Sequence, residues 1–315
     1  MASPRTWIWL AIVVVVGVAA VLALGDVRHL GDRLAGFEWR ALAVALALAV
    51  GNYALRFVRW QLYLRDRSVV VPAGDSVVVF GAGLSLSMTP AKVGELVKSY
   101  LLRELHGIPV AETAPIVVAE RVTDLVALLV LAVVGVAAFG VSSVVVPVAG
   151  GLIAIGLVML AWPPPAVWAI DLVTRPRSLR RFREPFHVMY RGLASLCRPR
   201  TLAIATAIAI PAWGCECVGF SVIVNGFAGA HVGIGLAMVI YAVTTIAGAL
   251  SFLPGGLGVT EGAMTMMLVT GSTQLDSATA LDATLLTRLA TLWFAIAIGL
   301  VFLAIARRRI ARAAR

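Results

Sequence analysis

Charge is what this chain has least of. Only 13% of its 315 residues are Asp, Glu, Lys or Arg, against 61% hydrophobic, and the mean hydropathy is +0.97. A soluble domain carries about 25% charged residues, so a soluble globular fold is excluded. Lysine is nearly missing: Lys92 and Lys98 are the only two, and the other 24 of the 26 cations are Arg. Cysteine is sparse and odd in number. Cys197, Cys215 and Cys217 give no disulfide framework, and the last two read as small packing residues. The four histidines, His29, His106, His187 and His231, are scattered. No metal or cofactor site is therefore expected. There is no G-x-S-x-G, no H-E-x-x-H and no Walker loop, and the Gly-rich run after Pro254 has no βαβ unit around it. The chain is not expected to be an enzyme.

What the chain has in abundance is apolar runs. Six are near the length of about 20 residues that crosses a bilayer: 7–24, 41–64, 112–139, 142–162, 201–226 and 278–305. The first is too long for the apolar core of a signal peptide and reads as an uncleaved span. Two further apolar regions, 75–105 and 231–270, are interrupted at Thr89-Pro90 and at Pro254-Gly255-Gly256. Proline removes a backbone donor and clashes with the preceding turn, so a helix should break at each site. Thr89 suits an N-cap with Pro90 at the first helical position.

The net charge is +10, and its placement sets a topology. Eight Arg lie between Asp171 and Arg200, and five lie from Arg307 to Arg315. Both groups flank apolar runs, so they point to the cytoplasmic face and anionic headgroups, not to nucleic acid. Residues 163–200 then form a basic cytoplasmic loop, and both termini are cytoplasmic. Within it Phe182, Phe186, Met189, Leu193 and Leu196 fall at helical spacing. A basic amphipathic helix on the inner leaflet and a solvated loop both fit. With the loop and tail inside, region 75–105 must start and end inside, and region 231–270 must start and end outside. The expected fold is an all-α polytopic membrane protein forming one transmembrane domain over 1–315. It has about six full spans plus two broken re-entrant helical hairpins in an inverted-topology repeat, with repeats near 41–140 and 201–305. Transporters bind substrate at the midplane of such repeats.

The two broken regions carry one motif twice. SMTPAKVGELVKSY precedes AERVTDLVALL, and SFLPGGLGVTEGAM precedes LTRLATLWFAI. Each has a Pro, a Val-x-Glu, a helix, and then an Arg deep in the next apolar segment. Glu95 lies 26 positions before Arg121, and Glu261 lies 27 before Arg288. A charge at the centre of a membrane helix costs roughly 2.5–3.5 kcal/mol on the insertion scale. Incurring that cost twice at matching places points to a polar site. Two half-helix ends and two Arg side chains suit an anion, and the guanidinium fork matches phosphate oxygens. The other reading is that Glu95 and Glu261 neutralise the Arg residues as structural locks.

Further candidates surround this pair. Arg121 shares its span with Glu120 and Asp124, and Arg288 shares its own with Asp282. Lys92 and Lys98 flank Glu95, placed for a headgroup contact or for snorkelling to the interface. Asn52, Arg56, Arg59 and Tyr63 share one helix face and read first as headgroup anchors, with a substrate path as the alternative. Glu216 is a lone acid near mid-span, suited to proton coupling or to a hydrogen bond with a neighbouring helix.

At these residues the chain resembles the lysylphosphatidylglycerol synthase transmembrane family, also called flippase-like. The matching pieces are RFVRW, TPAKVGELVKSYLLRELHGIPVAETAPIVVAERVTDLV, LPGGLGVTEGAM and LLTRLATLWF, within about residues 10–305. The family includes the membrane half of the multiple peptide resistance factor, which moves lysyl-phosphatidylglycerol between leaflets. The resemblance implies lipid translocation in the cell (inner) membrane. The chain ends soon after its last expected span, so the aminoacyl-transferase domain is expected to be absent and synthase activity is not carried over. The implied cargo is a phosphate-bearing lipid, anionic or polyprenyl-phosphate-linked. Its phosphate would be held by Arg121 and Arg288, with Glu95, Glu261, Lys92 and Asp124 around it. Two other readings stay open: a scaffold assisting a lipid-modifying or glycosyl-transferring enzyme, and a small-anion transporter. Gly- and Ala-rich faces allow a homo-oligomer.

Overall fold

The computed structural model describes residues 34–139, 151, 167–168, 171–172, 174–176, 183–271 and 275–313. Among these, the regular elements are helices and there is no strand. They are α1 (Trp39–Asp66), α2 (Ala73–Leu84), α3 (Val97–His106), α4 (Val110–Phe139), α5 (Arg183–Leu196), α6 (Pro199–Asn225), α7 (Ile234–Leu250) and α8 (Val259–Gly271). The last, α9, begins as Ser277–Arg288, passes through a π turn at Leu289–Trp293 and continues as Phe294–Ala313. Trp39–Asp66, Pro199–Asn225 and Ser277–Arg312 are long and apolar enough to cross a membrane. The expected spans at 7–24 and 142–162 fall outside the described residues, apart from residue 151.

Both broken regions are built alike, and both break earlier than proline alone dictates. Helix α2 stops at Leu84 and α7 at Leu250, not at Thr89-Pro90 or Pro254. In each case a serine follows and bonds back to a carbonyl of the last turn: Ser85 Oγ to Ala82 O and Ser251 Oγ to Gly248 O, both at 2.7 Å. A side chain that competes for backbone partners offers the chain an exit from the helix. An extended residue then precedes each proline. Thr89 has ψ 148° and Leu253 has ψ 148°. Short 3-10 turns follow at Pro90–Leu96 and Pro254–Gly256, with proline at the first position. Thr89 occupies the cap position, but its Oγ1 accepts from the Gly94 N–H at 2.7 Å, further along than a usual N-cap reaches. After the turns, α3 and α8 lead away, and the two 3-10 turns touch each other.

Two close approaches hold these breaks in place. A Cβ on Gly299 would lie 2.1 Å from the Ser85 backbone nitrogen, so α9 crosses the end of α2 at a glycine. A Cβ on Gly248 would lie 2.1 Å from Thr260 Oγ1, so the start of α8 rests on α7 at another. Only glycine admits such approaches.

The rest of the bundle packs around them. Helix α1 lies along α6, and α4 packs against α6 and α7. One apolar cluster joins these helices through Phe37, Trp213, Phe220, Ile240, Met264 and Leu268. A second gathers Trp60, Val79, Leu102, Ile116, Leu196 and Leu303 from α1 to α5 and α9. Helix α5 docks on α4, with Gly192 against Pro115 and Leu196 buried. Pro185 sits in the first turn of α5, where no intrahelical donor is missed, and the helix runs on to Leu196. Its apolar residues Leu193 and Leu196 pack on protein, and of the two sequence readings of this stretch the helical one is found.

Candidate functional site

The first half of the chain assembles a chain of alternating charges from four elements. Glu95, 1% exposed, sits in the 3-10 turn just before α3. It meets three cations: Arg56 Nη2 on α1 at 3.3 Å, Lys98 Nζ on α3 at 3.4 Å and Arg121 Nη2 on α4 at 3.2 Å. Lys98 also reaches Glu120 Oε2 at 2.5 Å and lies 4.8 Å from the Trp60 ring centroid. Asp124 receives Arg59 Nη2 at 2.7 Å and Arg121 Nη2 at 3.1 Å, and Trp213 Nε1–H donates to it at 3.0 Å. Such ions are kept inside an apolar bundle only by mutual pairing.

The second half is sparer. Arg288 Nε donates to Glu261 Oε1 at 2.6 Å, and its Nη2 donates to Gly255 O at 2.5 Å. Glu261 lies in the first turn of α8 and accepts the Gly258 N–H at 2.7 Å on its other oxygen. A carboxylate at that position satisfies a backbone donor with no helical partner.

Both halves open on one cavity of about 280 Å³. Arg56, Lys92, Arg121 and Arg288 line it, together with Asp124 and Glu216. Of the predicted set, Lys92, Arg121, Asp124, Arg288 and Glu216 thus come together. Glu95 and Glu261 do not line the cavity. They stand behind Arg121 and Arg288 and aim them, Glu95 fully enclosed and Glu261 beside a separate groove between α8 and α9. Asp282 is buried on α9 away from the cavity lining.

Lys92 is unlike the other cations. Among the described residues no carboxylate lies within ion-pair distance of it, and its ammonium sits 5.4 Å from the Trp213 ring centroid. Its φ is +54°, a left-handed conformation that non-glycine residues seldom hold without cause. That backbone turn carries the side chain to the cavity. Five cavity residues also keep a buried polar atom without a hydrogen-bond partner among the described residues: Asn52 Oδ1, Arg56 Nε, Ser87 Oγ, Arg121 Nε and Asp124 Oδ2, the last still 3.1 Å from Arg121 Nη2. Leaving such an atom unmet costs about 1–3 kcal/mol. A ligand with several acceptor oxygens and a hydroxyl would recover part of that cost.

The cavity wall is otherwise apolar, with Leu125, Leu128, Leu292 and Ala295 inside. Leu250, Phe252 and Leu253 line it while being 59%, 68% and 45% exposed, so they form an apolar lip.

Arg56, Arg59, Tyr63 and Lys98 sit otherwise than their first readings. Arg56 and Arg59 are buried at 6% and 0% exposure and paired inside the protein, so they are not headgroup anchors. Tyr63 bonds Thr123 from the same face and is equally enclosed. Lys98 does not snorkel, because Glu95 and Glu120 hold it inside. Arg56 was the cavity cation that helical spacing could have found, since it shares a face with buried Asn52. Trp213, Tyr53 and Ser87 carried no sequence signal of their own.

Residues 8–299 match the family model of the lysylphosphatidylglycerol synthase TM region. The chain belongs to this family. No curated protein matches it. Membership in the lysylphosphatidylglycerol synthase TM family, with three apolar helices of spanning length, makes it a membrane protein of lipid-related function. All the ion pairs of the cavity lie inside the family-matched stretch.

Proposed function

We propose that the protein is a flippase-like transporter of the cell membrane that moves a phosphate-bearing lipid between leaflets. The observation that carries this reading is one cavity joining four cationic side chains to an exposed apolar lip. A headgroup phosphate would sit among Arg56, Lys92, Arg121 and Arg288, where guanidinium groups and an ammonium supply charge-assisted donors. The acyl or prenyl chain would leave over Leu250, Phe252 and Leu253. A small soluble anion would have no use for that lip. Asp124, Glu95 and Glu261 keep the Arg side chains pointed at the phosphate and offset their charge when the cavity is empty. No metal, cofactor or nucleic acid enters this reading.

The two broken regions would be re-entrant hairpins of an inverted repeat. Their matching Ser exits, extended residues, prolines and touching 3-10 turns support it. Irregular backbone at membrane depth is tolerated where protein or a polar cavity surrounds it. The Arg-rich stretch before α6 and the Arg-rich end of α9 would face the cytoplasm, with both termini there.

The deciding experiment is leaflet exchange of fluorescent phosphatidylglycerol, phosphatidylethanolamine, lysyl-phosphatidylglycerol and a polyprenyl phosphate in proteoliposomes. Wild type should exchange at least one of them, and folded Arg121→Ala and Arg288→Ala should not. Absence of exchange by wild type for every lipid would shift the reading to a scaffold for a lipid-modifying or glycosyl-transferring enzyme. The buried Glu–Arg pairs are the observation that would suit that reading.

A further inference from the structure

Glu216 stands apart from every other carboxylate at the cavity. Asp124 is held by two Arg residues, and Glu95 and Glu261 are held behind the wall by theirs. Glu216 is 6% exposed, lines the same cavity, and has no cation within ion-pair distance among the described residues. Its one hydrogen bond is from a neutral donor, the Tyr241 hydroxyl on α7, at 3.0 Å to Oε2. The charged and titratable groups of the elements around it are Tyr53 and Arg56 on α1, Arg121 and Asp124 on α4, Lys92 in the first 3-10 turn, Tyr241 on α7 and Arg288 on α9. Cys215 and Cys217 flank it on α6.

We infer that Glu216 is a proton-binding site coupled to the anion: filling the cavity with a phosphate headgroup draws a proton onto Glu216, and emptying it releases that proton. This rests on the phosphate-lipid reading of the cavity and adds a second ligand to it. The physical reason is local charge balance. With the cavity empty, Arg56, Lys92 and Arg288 supply a positive field to the ionised carboxylate. A bound phosphate uses up that field and adds a like charge in a poorly solvated space, so the neutral acid is favoured. Asp124 does not share this response, because Arg59 pairs with it outside the cavity lining. Tyr241 can keep its hydrogen bond to either form, since a hydroxyl both donates and accepts. The coupling is reciprocal: protonation of Glu216 tightens anion binding by the factor by which the anion favours the proton. An anion and a proton would then move together.

The test is calorimetric titration of detergent-solubilised full chain with short-chain phosphatidylglycerol, a phosphodiester with one fixed negative charge near neutral pH. Runs in two buffers of different ionisation enthalpy count protons. Wild type should take up a proton on binding, with an uptake below one that depends on pH, and bind more weakly as pH rises. Glu216→Gln should bind with no buffer-dependent heat and with an affinity independent of pH. At alkaline pH it should bind about tenfold more tightly than wild type, within the usual range of coupling. Tyr241→Phe keeps the acid but removes its donor. Its proton uptake should persist to higher pH than in wild type, which tests the inference if the Gln variant does not fold. Binding by wild type without proton uptake, or equal uptake by Glu216→Gln, would overturn the inference while leaving the phosphate site standing. Proton-free binding that favours phosphatidylethanolamine in wild type but not in Glu216→Gln would also overturn it, making Glu216 a contact for a headgroup ammonium. No binding of any lipid would overturn the phosphate site and the inference with it.

Discussion

Arg288 and Glu261 lie 27 positions apart in the chain and 2.6 Å apart in the fold, and the same guanidinium also ties down the carbonyl of Gly255. One side chain on α9 thereby fixes both the start of α8 and the turn before it. Removing it should therefore cost stability as well as function. Arg288→Ala leaves a buried carboxylate unpaired, a loss of about 3–5 kcal/mol. The double variant Arg288→Ala/Glu261→Gln should recover most of the melting temperature in detergent but none of the lipid exchange. Recovery of exchange in the double variant would make the pair a structural lock only.

Lys92 should behave in the opposite way. Among the described residues it has no ion pair to lose, and Ala suffers the same left-handed backbone as Lys. Lys92→Ala is expected to leave the melting temperature unchanged and to weaken binding of anionic lipid about tenfold, or ~1.4 kcal/mol. Titration of short-chain phosphatidylglycerol measures both sides of that statement.

Lys98 bridges Glu95 and Glu120 inside the protein. Lys98→Met should destabilise by about 3–5 kcal/mol, because Glu120 is left as an uncompensated buried charge. Adding Glu120→Gln should restore much of that. Thermal unfolding in detergent of the single and double variants gives the comparison, and equal melting temperatures would show that Glu120 finds another partner.

Gly299 tests the crossing of α9 over α2. Gly299→Ala puts a methyl against the Ser85 backbone and should cost about 1–3 kcal/mol by overpacking. Gly214 on α6 has open space where its Cβ would go, so Gly214→Ala should be neutral or stabilising by up to about 1 kcal/mol. Equal effects of the two would contradict the close approach at Gly299.

The lip distinguishes a lipid from a free anion. Replacing Leu250 and Phe252 together by Ser should slow lipid exchange several-fold while leaving binding of inorganic phosphate unchanged, read by calorimetry. Loss of both would mean that the lip shapes the whole cavity.

Much of this molecule was legible in one dimension. Hydrophobicity over a span-length window is a local property, so the positions of α1, α6 and α9 followed from composition. The repeated Pro, Val-x-Glu and distant Arg marked both broken regions, and the pairing of Glu95 with Arg121 and of Glu261 with Arg288 was one of the two readings they left open. The exits at Ser85 and Ser251 were less visible, because a serine ends a helix only when its hydroxyl turns back to a carbonyl. What tertiary structure alone decided is which charges face a common space. Arg56 and Arg59 share one helix face, yet Arg56 reaches the cavity and Arg59 lies behind it, since Glu95 in the turn between α2 and α3 holds the first and Asp124 and Thr123 on α4 hold the second. Among the described residues Glu216 has no cation partner, because α1, the first 3-10 turn and α9 leave Arg56, Lys92 and Arg288 beyond ion-pair distance, and no count along the chain contains that. Burial and pairing depend on the neighbours that folding brings, whereas apolar length and motif spacing belong to the chain itself.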